Sequence, residues 1–66
     1  MRSTLVERLT AARKARGHSQ EAAAHAIGVT LATLARWESG ISCPTGLSVA
    51  AIEAYVAHAN EGSEHG

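Results

Sequence analysis

Three glycines divide most of this chain into short helical segments, and their spacing constrains its fold more than any other feature. Gly17, Gly28 and Gly40 each follow a run of helix-favouring residues, and glycine readily adopts the left-handed backbone that ends a helix. Ser19 and Thr30 each stand two residues after a glycine, where a side-chain hydroxyl can cap the next helix. The pattern predicts helices over residues 5–16, 20–27 and 31–39, the first of them capped by Thr4.

A fourth helix is predicted after a loop over residues 41–44, with Thr45 as its cap, because Pro44 keeps Cys43 out of helical geometry. This helix carries two apolar stripes, and the sequence does not decide which one faces the core. One stripe contains Leu47, Ala50, Ala51, Ala54 and Tyr55, and the other contains Val49, Ile52 and Val56. We expect the domain to span residues 1–59, and residues 60–66, which lack apolar anchors, to form a disordered tail.

The composition favours a single all-α domain. Hydrophobic residues make up 45% of the 66 residues, yet there is one Trp, one Tyr and no Phe, so alanine and aliphatic side chains must supply the core. A chain this short buries only a marginal core. No apolar stretch approaches the roughly 20 residues of a membrane span, and no secretion signal follows Met1. We therefore expect a cytoplasmic protein.

The charged residues are unevenly distributed, although the formal net charge is zero. Six basic and three acidic residues precede Gly40, whereas three acidic residues and no basic residue follow it. One end of the molecule could therefore attract phosphate groups while the other repels them.

The chain shows no pattern typical of an enzyme or a metal site. No two of its histidines form a His-x-x-x-His pair on one helix, and Cys43 is its single cysteine, so no metal or cofactor is expected. No paired carboxylates, no nucleophile beside a base and no phosphate-binding glycine loop is present. We expect Cys43 to be a partly buried loop residue and Trp37 to be a core residue, while His18 could be buried or exposed.

The second and third predicted helices are joined by Gly28 and Val29. Two short helices that cross steeply need a tight turn, a small residue where their backbones approach, and apolar side chains between them. Gly28 suits the turn and Ala24 suits the close approach. Ile27, Val29 and Leu34 suit the apolar contact.

At these positions the sequence resembles the helix-turn-helix domain of phage Cro and lambda-type repressors and of XRE-type regulators. The matching pattern reads Leu9-x-x-Ala12-Arg13, then Gly17-x-Ser19-Gln20-Glu21-x-x-Ala24-x-x-Ile27-Gly28-Val29-Thr30-x-x-Thr33-Leu34-x-Arg36-Trp37-Glu38-x-Gly40, then Pro44-Thr45. It extends over roughly residues 5–56. The resemblance implies a lambda-repressor-like bundle of four or five helices that binds double-stranded DNA.

The resemblance also implies which residues contact DNA. The third helix would lie in the major groove, with base readout by Leu31, Ala32, Thr33 and Arg36. Arg36 could bond bidentately to guanine, whereas Leu31 and Ala32 depart from the polar residues often found at these positions. The implied phosphate contacts are Gln20, Thr30, Ser42 and Thr45. The last two lie in the loop over residues 41–45, which lacks the Lys or Arg common in relatives. Arg13 and Glu38 match a charged pair that joins the first helix to the third.

We expect the chain to form a homodimer, since a monomer this small can cover only one apolar stripe of the fourth helix. The predicted interface residues are Val49, Ile52, Tyr55 and Val56. Such a dimer would repress transcription at a pseudo-palindromic operator. A phage Cro-like regulator, an antitoxin-type autorepressor and a restriction-system controller all fit. The alternative is a protein-interaction module that binds a protein partner without specific DNA binding, which the zero net charge favours.

Overall fold

The computed structural model describes residues 4–65, with side chains described for residues 4–58. It contains four helices, α1 Thr4–Arg16, α2 Gln20–Ile27, α3 Leu31–Ser39 and α4 Leu47–His65, and no strand within the described residues. The all-α fold is confirmed, and α2 and α3 have the predicted bounds. No helix among the described residues combines the length and the apolar character that crossing a membrane requires.

The ends of α2 and α3 are fixed by the predicted caps. The Ser19 hydroxyl accepts a hydrogen bond from the backbone N–H of Ala22 at 3.1 Å, and the Thr30 hydroxyl accepts one from that of Thr33 at 3.2 Å. Gly28 ends α2 with φ = 97°, a left-handed conformation that other residues rarely adopt. The turn between the two helices is thereby set within three residues, and α2 and α3 pack against each other directly after it.

The fourth helix begins later than predicted. Gly46 has φ = 60°, which is not helical, so α4 begins at Leu47. Thr45 contributes its backbone carbonyl, which accepts from the N–H of Ser48 at 3.2 Å. The helix runs to His65, and residues 60–65 therefore fall within it. Side chains beyond His58 and all of residue 66 lie outside the described residues, and the division into a domain over residues 1–59 and a tail over residues 60–66 stays a prediction.

The core lies between α1, α2 and α4, with α3 packed against α1 and α2. Its fully or almost fully buried side chains are Val6, Leu9, Ala12, Ala23, Ala24, Leu34, Trp37, Ile52, Tyr55 and Val56. Trp37 is thus a core residue, as predicted. Cys43 is exposed rather than partly buried.

The buried face of α4 corrects the predicted dimer interface. Ile52, Tyr55 and Val56 are 0%, 5% and 6% exposed, so they have almost no surface to offer a second copy, while Val49 is partly exposed. The core takes Tyr55 from one predicted stripe and Ile52 and Val56 from the other, because the buried face lies between the two stripes. What remains outside is a different face of the helix.

Candidate nucleic-acid interface

The outward face of α3 brings together the residues predicted to read bases. Leu31 is 47% exposed, Ala32 and Arg36 are exposed, and Thr33 is partly exposed, while Leu34 and Trp37 point into the core. The same face includes two residues that the sequence analysis missed, Ala35 and Ser39. They lie four and eight residues after Leu31, so helical periodicity could have identified them.

The Arg36 guanidinium forms no hydrogen bond or ion pair with any part of the chain that the structure describes. Its backbone carbonyl, by contrast, accepts from the N–H of Ile41 at 3.0 Å and from the Ser39 hydroxyl at 3.1 Å. These bonds hold the end of α3 and the start of the following loop. The backbone of Arg36 is therefore fixed while its charged group remains available to an external acceptor.

The hydroxyl groups of Thr30 and Thr33 are hydrogen-bonded to each other at the start of α3. The Thr30 hydroxyl donates to the Thr33 hydroxyl at 2.9 Å and also accepts from the Thr33 N–H. The Thr33 hydroxyl hydrogen therefore remains able to donate outward, where the base edges are expected. The Thr30 hydroxyl hydrogen is used in the bond to Thr33, so for a contact with a phosphate oxygen, which only accepts, it would have to turn away from Thr33.

Arg13 and Glu38 form the ion pair that joins α1 to the end of α3. Arg13 Nε lies 2.9 Å from Glu38 Oε2, and Nη2 donates to Oε1 at 3.1 Å. The two side chains are 15% and 8% exposed. Arg13 Nη1 also donates to the backbone carbonyl of His18 at 3.1 Å. The bidentate geometry fixes the orientation of α3 relative to α1.

Gln20 completes this network from the start of α2. Its Nε2 donates to Glu38 Oε1 at 2.9 Å. Burial raises the pKa of the Glu38 carboxyl, but hydrogen bonds from Arg13 and Gln20 and the charge of Arg13 outweigh it, so the pKa lies below its usual value. Gln20 therefore positions α2 against α3. The second Nε2 hydrogen of Gln20 and the first N–H groups of α2 are the donors that could hold a phosphate.

The loop after α3 places the other predicted phosphate ligands at the surface. Ser42 and Thr45 are exposed, and Pro44 is buried and anchors the loop between them. Ile41 is 76% exposed, and the loop carries no basic residue. Any phosphate here would be bound by hydroxyl and backbone N–H groups alone.

A family model described as Helix-turn-helix matches residues 9–56, which is well over half of the chain. The chain belongs to the helix-turn-helix family. Searches of the curated proteins and of the solved structures each found no match. Together with the all-α bundle of four helices, the family match makes this chain a DNA-binding regulator of the XRE type.

One cluster in this helix-turn-helix domain could not be inferred from the family pattern. The Tyr55 hydroxyl is hydrogen-bonded to His18 Nδ1 at 2.8 Å, and the Arg16 guanidinium lies 4.3 Å from the centre of the Tyr55 ring. His18 is thus partly buried and links the turn between α1 and α2 to α4. The only sequence signal for this cluster was His18 itself, which the sequence left open as buried or exposed.

Proposed function

We propose that this helix-turn-helix protein is a repressor that binds a pseudo-palindromic operator as a homodimer, with α3 in the major groove. The observation that carries the proposal is the exposed face of α3, on which Arg36 has no partner among the described residues. A basic side chain on a helix held by a bidentate ion pair is suited to reading a base edge.

Base readout would be divided among four side chains of α3. Arg36 would contact guanine bidentately, and Thr33 would donate its hydroxyl hydrogen to a base acceptor. Leu31 and Ala32 would contact thymine methyl groups. Because two of the four are apolar, part of the specificity would come from DNA shape and deformability.

Phosphate contacts would come from Gln20, Thr30, Ser42 and Thr45, together with backbone N–H groups. None of these carries a charge, so each copy would bind the DNA backbone weakly. Two copies on half-sites about 34 Å apart, one helical turn of DNA, would supply the missing affinity. Occupying a promoter in this way would block transcription.

The test is a fluorescence-anisotropy titration of a duplex from the protein's own upstream region, at two salt concentrations. We expect Arg36→Ala to lose about 1 to 3 kcal/mol of binding free energy, roughly 5- to 150-fold in affinity. Arg8→Ala is the matched control, because Arg8 is an exposed arginine on α1 outside the proposed contacts. Equal affinity of Arg36→Ala and wild type would remove Arg36 from the interface.

A protein-interaction module is the second candidate function. It is favoured by the lack of any basic residue after Arg36. A folded wild-type protein that binds neither the upstream duplex nor fragmented genomic DNA would support this candidate and contradict the repressor.

A further inference from the structure

The outward face of α4 is apolar and has no covering element among the described residues. Leu47 is 90% exposed, and Ala50, Ala54 and Ala57 are exposed along the same side of the helix. We call these four residues the outer face. Alanine side chains let a second helix approach to about 8 to 10 Å between axes.

The two edges of the outer face carry opposite charge. Ile52 points into the core, so its neighbours Ala51 and Glu53 lie on opposite edges of the helix. Glu53 is exposed and has no ion pair or hydrogen bond within the described part of the chain. On the edge of Ala51 lies a groove of about 420 Å³, which Arg16 and His58 line together with Ala26 and Ile27.

Arg16 is held at this groove with its charge uncompensated. Its guanidinium stacks on the Tyr55 ring at 4.3 Å, and the hydrogen bond to His18 fixes that ring. It forms no ion pair among the described residues. Tyr55 and Glu53 are two residues apart, so the acid and the base lie at the same level of α4 on opposite edges.

We propose that a second copy of this chain docks on the outer face with the two α4 helices parallel, so that Glu53 of each copy pairs with Arg16 of the other. In a parallel two-fold pair, each acidic edge meets the basic edge of the second copy. An antiparallel pair would instead bring like edges together. The complementarity lies within one surface, which is what a symmetric dimer requires.

The parallel arrangement rests on the proposed function, and it also suits that function. A two-fold axis along α4 keeps the Ser42 and Thr45 loops, which precede α4, on the same side of the dimer. Because α3 packs against α1 and α2, the α3 helices of the two copies would lie on either side of the paired α4 helices. Both could then face one DNA duplex.

The test is a charge exchange followed by sedimentation velocity without DNA, at tens of micromolar protein. In Arg16→Glu and in Glu53→Arg, both cross-pairs of the homodimer become repulsive, and we expect each variant to dimerise at least about tenfold more weakly than wild type. In an equimolar mixture, the heterodimer regains both opposite-charge pairs, so the dimer should return. Glu21→Arg, an exposed acid on α2, is the control and should dimerise like wild type.

Circular dichroism of each variant separates loss of the fold from loss of the interface, and rescue in the mixture would itself require folded chains. The proposal is overturned if wild type is monomeric, if the single reversals dimerise like wild type, or if the mixture stays monomeric. DNA titration of the same samples separates the two proposals. If the mixture dimerises but does not bind DNA, the α4 interface is supported and the repressor is rejected. If the protein binds DNA but the mixture stays monomeric, the repressor is supported and the α4 interface is rejected.

Discussion

Removing the Glu38 carboxylate should destabilise the domain strongly. Glu38→Ala takes the acceptor from two Arg13 donors and from the Gln20 amide at once. Arg13 would keep only its bond to the His18 carbonyl, and its guanidinium would remain largely buried and unpaired. Breaking a buried pair from one side costs about 3 to 5 kcal/mol. Because the side chains of Arg13 and Glu38 are still 15% and 8% exposed, water can partly solvate the unpaired group. We therefore expect a smaller loss in the free energy of unfolding, about 2 to 3 kcal/mol.

Such a loss is large for a domain of this size, whose core supplies no more than about 3 to 5 kcal/mol. With an m-value of about 1 kcal/mol/M, the urea midpoint should fall by roughly 2 M, and the melting temperature by roughly 10 to 20 °C. DNA affinity should fall as well, since Glu38 positions α3. Urea denaturation followed by circular dichroism measures the first effect, and anisotropy measures the second.

A double-mutant cycle with Arg13→Ala separates the pair from its surroundings. The double variant should be less destabilised than the sum of the single variants, because neither charge is then left alone. Glu38→Ala with unchanged denaturation midpoint and unchanged DNA affinity would refute the reasoning.

Three further predictions concern the Glu38 carboxyl, the Gly28 backbone and the Tyr55 hydroxyl. Because the pKa of Glu38 is lowered, the ionised carboxylate stabilises the folded domain fully above pH 4.5, its ordinary pKa, and this contribution is lost as the pH falls through the lowered pKa. In Glu38→Gln, the free energy of unfolding should therefore fall less steeply as the pH is lowered over this range than it does in wild type, as measured by acid denaturation. Gly28→Ala should cost about 1 to 2 kcal/mol in urea denaturation from its left-handed backbone alone, since nothing lies within 4 Å of an added Cβ; an unchanged midpoint would exclude that conformation. Tyr55→Phe should cost about 0.5 to 1.5 kcal/mol in the same assay by removing the bond to His18 while keeping the ring beneath Arg16, and a larger cost would mean that the ring itself had moved.

The helices were predictable because their boundaries are local. Ser19 and Thr30 cap through hydroxyl groups three residues from their partners, and Gly28 ends α2 by its own backbone preference. The start of α4 was not predictable in this way. Thr45 is a good cap by type, but Gly46 takes a positive φ and delays the helix.

The ion pair and the face of α3 followed from the family pattern, whereas the surface of α4 did not. Its sequence is apolar on almost every side, so periodicity could not distinguish Ile52, which is buried, from Leu47, which is exposed. That choice depends on how α1 and α2 pack against α4. The contacts of Tyr55 with His18 and Arg16 join residues 37 and 39 positions apart, and no local pattern encodes them.

The small core has a consequence for how long a chain survives in the cell. Ten buried core side chains among the described residues, two of them alanines of α2, leave the free chain close to its unfolding threshold. A ligand that binds only the folded chain adds about 2.7 kcal/mol when present at 100 times its dissociation constant. Proteases that act on unfolded chains would then remove unbound copies first. The number of copies would follow the number of occupied sites, and turnover itself would limit any excess of the regulator.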